Sequence, residues 1–309
     1  AAYFFARQLT ESLHLPVGLV INSWGGSAIE AWMDEPTLKT VEGMNIEAAK
    51  NPKRGVHQRL ECLYNSMLWP VKNFTAKGFL WYQGESDEGH ADIYDRLFEA
   101  MIGCWRESFC QDLPFLFVQL APYGTWLGGT GEKYPELRRR QEMVSRRVPG
   151  AYMTSVMDLG MYEDIHPKHK KEVGERLALL ARGKVYKEEL LCEPPALLGA
   201  ERKGKKIILH FAHAGVGLWR KEKTPEAEPE AELPSPLTGP REMKDGFLVL
   251  QGEKPLEIGK VRLWGNEVIL HVPSLSEEKC AVSFAQVPYI RVRIYNSADL
   301  PMKPFYCEL

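Results

Sequence analysis

Four short apolar runs, each followed by a polar, glycine-bearing loop, constrain what this chain can fold into. They are residues 17–21 (Val-Gly-Leu-Val-Ile), 78–82 (Gly-Phe-Leu-Trp-Tyr), 113–120 around Phe115-Leu116-Phe117-Val118, and 151–157. A continuous apolar run of this length is how a strand buried on both faces reads, the habit of parallel sheets. Helical spacing comes between the runs, near residues 28–33, 58–69 and 135–148, and after the last over 168–186. It is clearest where Tyr94, Leu97, Phe98, Met101 and Trp105 fall at i, i+3, i+4, i+7 and i+11. Strand, loop and helix in this order predict an α/β domain with a doubly wound parallel sheet.

The pattern changes after Cys192-Glu193-Pro194-Pro195. Short β-like runs follow at residues 206–211, 246–250, 259–264, 267–272, 280–284 and 289–295, with turn signals such as Gly265-Asn266 between them. The expected division is an α/β domain over residues 1–191 and a small all-β, sandwich-like domain over 192–309. Residues 224–234 are acidic and proline-rich and read as a mobile insertion.

Composition removes several function classes. With 39 Lys+Arg against 41 Asp+Glu in 309 residues, the net charge of −2 offers no footprint for nucleic acid. No apolar run approaches the roughly 18–20 residues of a membrane span. The six cysteines form no CxxC pair, so neither a zinc ribbon nor a disulfide scaffold is expected, and buried free thiols are. No signal-peptide pattern opens the chain, and a cytoplasmic location is favoured over a secreted or lysosomal one. Phe5, Leu9 and Leu13 are already at helical spacing without a capping residue, which reads as a chain beginning inside an element.

In open α/β sheets ligands bind beyond the carboxyl ends of the strands. Here those ends lead into Asn22-Ser23-Trp24-Gly25-Gly26-Ser27, Gln83-Gly84-Glu85-Ser86-Asp87, Ala121-Pro122-Tyr123-Gly124 and the loop from Asp158 through Asp164, His166 and Pro167. Gly25 and Gly26 before a helix start expose backbone N–H groups able to hold an oxyanion. Gln83 is placed to aim an amide N–H at the same charge. Asp164 beside His166 is the arrangement of a carboxylate orienting a general base. Together these tools describe acyl transfer from an ester.

At these residues the chain resembles the sialate O-acetylesterase family, carbohydrate acetylesterases of the SGNH-hydrolase superfamily. The blocks concerned are Ser23-Trp24-Gly25-Gly26 through Ile29-Glu30-Ala31-Trp32, Trp81-Tyr82-Gln83-Gly84-Glu85-Ser86-Asp87, and Asp164-Ile165-His166-Pro167. The ending, Arg293-Ile294-Tyr295-Asn296 with Pro304-Phe305, is similar to the family's tail. The resemblance implies an SGNH-like sheet, a serine-type ester hydrolase acting on acetylated sugars, and no cofactor. It implies catalytic roles for His166 and Asp164, and oxyanion or substrate-binding roles for Gly25, Gly26, Gln83, Trp24, Glu85 and Tyr82.

Two departures qualify it. The family's nucleophile lies in a Gly-Gln-Ser-like block that this sequence lacks, and no Gly-x-Ser-x-Gly turn replaces it. Ser27 and Ser86 match positions that are not nucleophiles. The expectation is therefore a first strand absent from the sheet and a serine supplied from outside this chain, on a removed segment or a separate polypeptide. Asp164 also precedes His166 by two residues where many SGNH enzymes use three, which leaves Asp158 as a competing orienter. The alternatives are a catalytically incomplete subunit serving carbohydrate binding or assembly, and an esterase for acetylxylan or another glycan.

Other signals point less far. Asp164, His166 and His169, or His210 and His213, are types a metal would take, but ester chemistry of this kind needs none and none is expected. Arg138-Arg139-Arg140 with Arg146-Arg147 reads as a solvated helix face. Residues 128–131 (Gly-Gly-Thr-Gly) read as a flexible loop, and Tyr123 and Trp126 as further pocket aromatics.

Overall fold

The structure, a computed structural model, describes residues 1–222 and 235–309. The acidic insertion at residues 224–234 lies outside the described residues. The chain is mixed α/β, with one parallel three-stranded sheet and several antiparallel ones. It divides into two compact units that interleave in sequence. The first holds Ala1–Leu120, Glu136–Thr154 and Lys170–Lys187; the second holds Ala121–Pro135, Ser155–His169 and Glu188–Leu309.

In the first unit α1 (Ala2–Leu13) is followed by β1 (Phe79–Trp81), α2 (Tyr94–Phe109) and β2 (Phe115–Val118). Then come α3 (Tyr134–Arg147), whose first two residues belong to the second unit, β3 (Ala151–Thr154) and α4 (Lys170–Lys184). The strands lie in the order β1-β2-β3, parallel throughout, with Phe79 opposite Phe115 and Phe115 opposite Ala151. The predicted stripe of α2 is buried in full. Its Trp105 meets the edge of Trp81 at 5.5 Å and donates Nε1–H to the Trp32 carbonyl at 2.7 Å, so a large ring is buried without an unmet donor. Helix α4 approaches α1 closely at Gly174, where a Cβ would lie 2.4 Å from the Ala1 carbonyl oxygen.

Residues 17–21 do not join this sheet. They form no strand, and Leu19, Val20 and Ile21 are exposed, Ile21 by 60%. An apolar run becomes a strand only beside another strand that takes up its N–H and C=O groups, and none among the described residues pairs with it. The expected helix at 58–69 is also broken, into a 3₁₀ turn (Val56–Gln58), a π turn (Tyr64–Leu68) and a last turn (Trp69–Val71) containing Pro70.

The second unit carries two four-stranded antiparallel sheets. With β4 (Ala196–Lys203), β5 (Lys206–Ala212), β6 (Phe247–Gln251), β7 (Lys254–Leu256), β8 (Lys260–Trp264), β9 (Glu267–His271), β10 (Ala281–Phe284) and β11 (Phe305–Glu308), the orders are β7-β6-β10-β11 and β8-β9-β5-β4. Leu209 and Val268 from one sheet share a buried core with Val249 and Val282 from the other. The sequence understated two strands. β4 hides behind a bulge between Leu197 and Gly199, and β11 is only four residues long. Of residues 289–295 only Ile294–Tyr295 pairs, with Trp219–Arg220.

The cysteines are all free; Cys104, Cys192 and Cys280 are buried, whereas Cys110 is exposed at the end of α2. No described helix is long and apolar enough to cross a membrane.

Candidate active site

In the first unit the candidate residues stand on the turn at Gly25-Gly26 and on the loop after β1. Gly26 has φ 70°, the left-handed conformation a tight turn takes with glycine, and a Cβ on Gly25 would meet nothing within 4 Å. The backbone here is open to an approaching group. Trp24 beside it is 50% exposed.

The loop after β1 turns inward. Gln83 is buried, and its Nε2 donates to the Ser27 carbonyl at 2.8 Å and to Asp87 Oδ2, while its Oε1 accepts from the Tyr94 hydroxyl at 2.9 Å. Both amide hydrogens are thus taken by buried acceptors, so the donor expected from this side chain is not free to meet a ligand. Gln83 instead fastens the turn that follows Gly26. Asp87 completes the fastening by accepting the Ile29 N–H at 3.2 Å on Oδ2.

Behind Asp87 lies a small charged cluster. Glu30, Asp87 and His90 bring one ligand-type atom each within 4.8 Å of one another, the one described group with the composition of a metal site. Arg54 Nη2 already stands 2.8 Å from Glu30 Oε1 and supplies a positive charge there. Burial and the neighbouring Asp87 push the Glu30 carboxyl up, and the Asp87 carboxylate, 3.8 Å from His90 Nδ1, pushes His90 up.

Tyr82 and Glu85 complete this loop. The Tyr82 hydroxyl is buried without a hydrogen-bond partner among the described residues, and its ring lies under Lys170 Nζ at 5.0 Å. Burial, with Glu85 adding to it, drives the phenol far above its ordinary value. The serines contribute no obvious nucleophile: Ser27 is buried and its Oγ accepts from Trp32 Nε1 at 2.9 Å, and Ser86 is exposed.

In the second unit stand Asp164 and His166. The loop after β3 is pinned where Val292 N–H donates to the Met157 carbonyl at 3.1 Å and where Gly124 and Thr125 both donate to the Tyr162 carbonyl, at 3.0 and 2.8 Å. Asp164 Oδ1 then lies 3.0 Å from His166 Nδ1 and accepts the His166 backbone N–H at 2.8 Å. That backbone hydrogen bond, with the ring contact, holds the Asp164 carboxyl below its ordinary value. The competing residue, Asp158, accepts from the Tyr295 hydroxyl at 3.2 Å. With Asp164 facing Nδ1, the imidazole carries its hydrogen there and leaves Nε2 as the acceptor.

Trp126 packs against the His166 ring at 4.9 Å, nearly perpendicular. It sits on a two-residue hairpin, Thr125–Trp126 with Gly129–Thr130, so half of the stretch expected as a loop, Gly129 and Thr130, is paired backbone while Gly128 lies in the turn. Tyr123 is buried.

The remaining candidates are structural. His210 lies between Glu201 and Glu267, at 3.5 and 3.3 Å, and His213 lies 3.6 Å from Glu193. The arginine run is a solvated face only in part: Arg139, Arg146 and Arg147 are exposed. Arg138 is fully buried, and Arg140 and Arg147 both reach Asp95, at 2.9 and 3.0 Å. Sequence reasoning missed Asp87, Glu30 and His57. For Asp87 the signal was available: an acid directly after a strand-end loop, with glutamine four residues before it.

A family model described as carbohydrate esterase, sialic acid-specific acetylesterase, matches residues 1–182. Sialate O-acetylesterases of Rattus norvegicus and Homo sapiens are 31% and 32% identical, each over 61% of this chain. The chain spans less than half of these relatives, 43% and 39% of their lengths. A carbohydrate acetylesterase from Xanthomonas citri superposes with TM-score 0.77 at 31% identity, covering 98% of this chain and 64% of that one.

Proposed function

This chain belongs to the sialic acid-specific acetylesterase family of carbohydrate esterases, and from that membership we propose that it serves in the hydrolysis of acetyl esters on sialic acids or similar glycan sugars. The observation that carries the reading is the Asp164–His166 pair, held by two contacts to one carboxylate oxygen. The parallel sheet is read as SGNH-like, with its first strand contributed from elsewhere.

A serine supplied from outside this chain attacks the acetyl carbonyl. Its proton passes to His166 Nε2, and Asp164 stabilises the imidazolium that forms. The imidazolium returns the proton to the departing sugar oxygen, leaving an acetyl-enzyme. His166 then deprotonates a water, which attacks the acetyl carbonyl, and the proton returns to the serine as acetate leaves. The backbone N–H groups of the open Gly25-Gly26 turn are of the kind that holds an oxyanion. Gln83 and Asp87 serve by fixing that turn.

The test is labelling with a serine-reactive phosphonate, followed by intact mass. A phosphonyl adduct outside residues 1–309, on an adjoining segment or on a co-purifying polypeptide, with none within them, is the expected result. An adduct on Ser27 or Ser86 would overturn the assignment of the nucleophile. Acetate release from an O-acetylated sialic acid that survives His166→Ala would overturn the mechanism.

A further inference from the structure

We propose that Trp24 and His57 form a stepped aromatic platform that seats the apolar face of a pyranose ring beside the Gly25-Gly26 turn. The proposal rests on the carbohydrate esterase reading and adds to it a place and a mode of sugar recognition.

An exposed tryptophan alone is unremarkable on a protein surface. What marks Trp24 is a second ring held parallel to it. The His57 imidazole lies with its plane within 7° of the indole and its centroid 6.2 Å away. At that separation the rings are offset rather than overlapped, so each keeps part of its face open.

The platform is tied to the turn. His57 accepts the Ala28 N–H on its carbonyl at 3.2 Å, and Gln58 Nε2 donates to the Gly26 carbonyl at 3.4 Å. Gly55 packs close to the imidazole, where a Cβ would lie 2.6 Å from His57 Cε1. The neighbouring turn is open at Gly25, where a Cβ would meet nothing within 4 Å. Aromatic faces are how ligand sites are chiefly lined. Tyr82 does not share this role, since its hydroxyl is buried and its ring lies under Lys170.

The experiment is a titration, by calorimetry or saturation-transfer NMR, with the methyl α-glycoside of N-acetylneuraminic acid and with methyl β-xylopyranoside. Saturable binding of at least one glycoside is expected. Trp24→Ala should weaken it about fivefold, the scale of one aromatic stack, and Trp24→Tyr should restore most of the loss. His57→Ala should weaken it about threefold, while His57→Phe, which keeps a ring, should not. Unfolding midpoints check that every variant folds. Binding of neither glycoside, or affinity unchanged in Trp24→Ala, overturns the proposal. So does a His57→Phe variant as weak as His57→Ala, which would make the contact a hydrogen bond rather than a stack. The esterase reading fails separately: it is judged by acetate release from an aryl acetate, which carries no sugar.

Discussion

A single oxygen of Asp164 holds both the backbone and the ring of His166, at 2.8 Å from the amide nitrogen and 3.0 Å from Nδ1. The two-residue spacing makes this possible, because the chain turns back within reach of its own carboxylate. The same contacts depress the Asp164 carboxyl, so the group contributes stability that is complete above its unfolded value of about 3.9. That contribution is lost as pH falls through the lower folded value. Asp164→Asn should therefore flatten the acid limb of unfolding below about pH 4, measured by urea midpoints against pH.

His166 is exposed, with 66% of its side chain open, so His166→Ala should leave the thermal midpoint unchanged. On the proposed mechanism, turnover should fall by roughly 10²–10⁴-fold, the usual worth of a positioned base. The measurement is acetate release from an aryl acetate. Asp164→Asn should lower turnover with little change in KM, because it acts through the imidazole rather than on the substrate.

Glu30 responds to pH with the opposite sign. Its carboxyl is raised by burial first and by Asp87 second, so the folded protein holds that proton more firmly than the unfolded chain. The resulting stability is complete below the unfolded value of about 4.3 and is lost as pH rises through the folded one. Glu30→Gln removes the titration. Unfolding free energies between about pH 4 and 8 should decline less in the variant than in the parent. An equal decline in both would place the proton elsewhere.

Gly174→Ala should be costly although alanine favours helices. The added methyl would stand 2.4 Å from the Ala1 carbonyl and 2.7 Å from Phe4 Cβ, forcing α4 away from α1. A loss of about 1–3 kcal/mol is expected from overpacking of this kind, read from chemical denaturation.

Tyr82→Phe should be neutral or stabilising by about 1 kcal/mol, since it deletes a buried hydroxyl that has no partner among the described residues. A clear loss of stability would show that the hydroxyl is satisfied by bound water.

The strands β1, β2 and β3 and the helices between them were legible because their signals are local. Apolar runs and the repeat through Tyr94, Leu97, Phe98, Met101 and Trp105 report burial wherever the element packs. Residues 17–21 carry the same kind of signal and stay exposed, because a strand is defined by a neighbour as much as by its own residues. Arg138 shows the converse: a charge that reads as surface is buried within α3, where its long side chain meets neighbours no one-dimensional pattern records.

The sequence by itself determined the family, the succession of strand, loop and helix in the first part of the chain, and the residue types gathered at the strand ends. Those follow from side-chain chemistry and spacing within a few residues. Only the tertiary structure decided how they are used. It gave Asp164 to His166 and the Tyr295 hydroxyl to Asp158, and it spent both hydrogens of the Gln83 amide on Ser27 and Asp87. It also set His57 parallel to Trp24. Each of these turns on a partner distant in sequence or on which of two groups reaches first, and buried hydrogen-bonding groups take whichever partner the packing brings within about 3 Å.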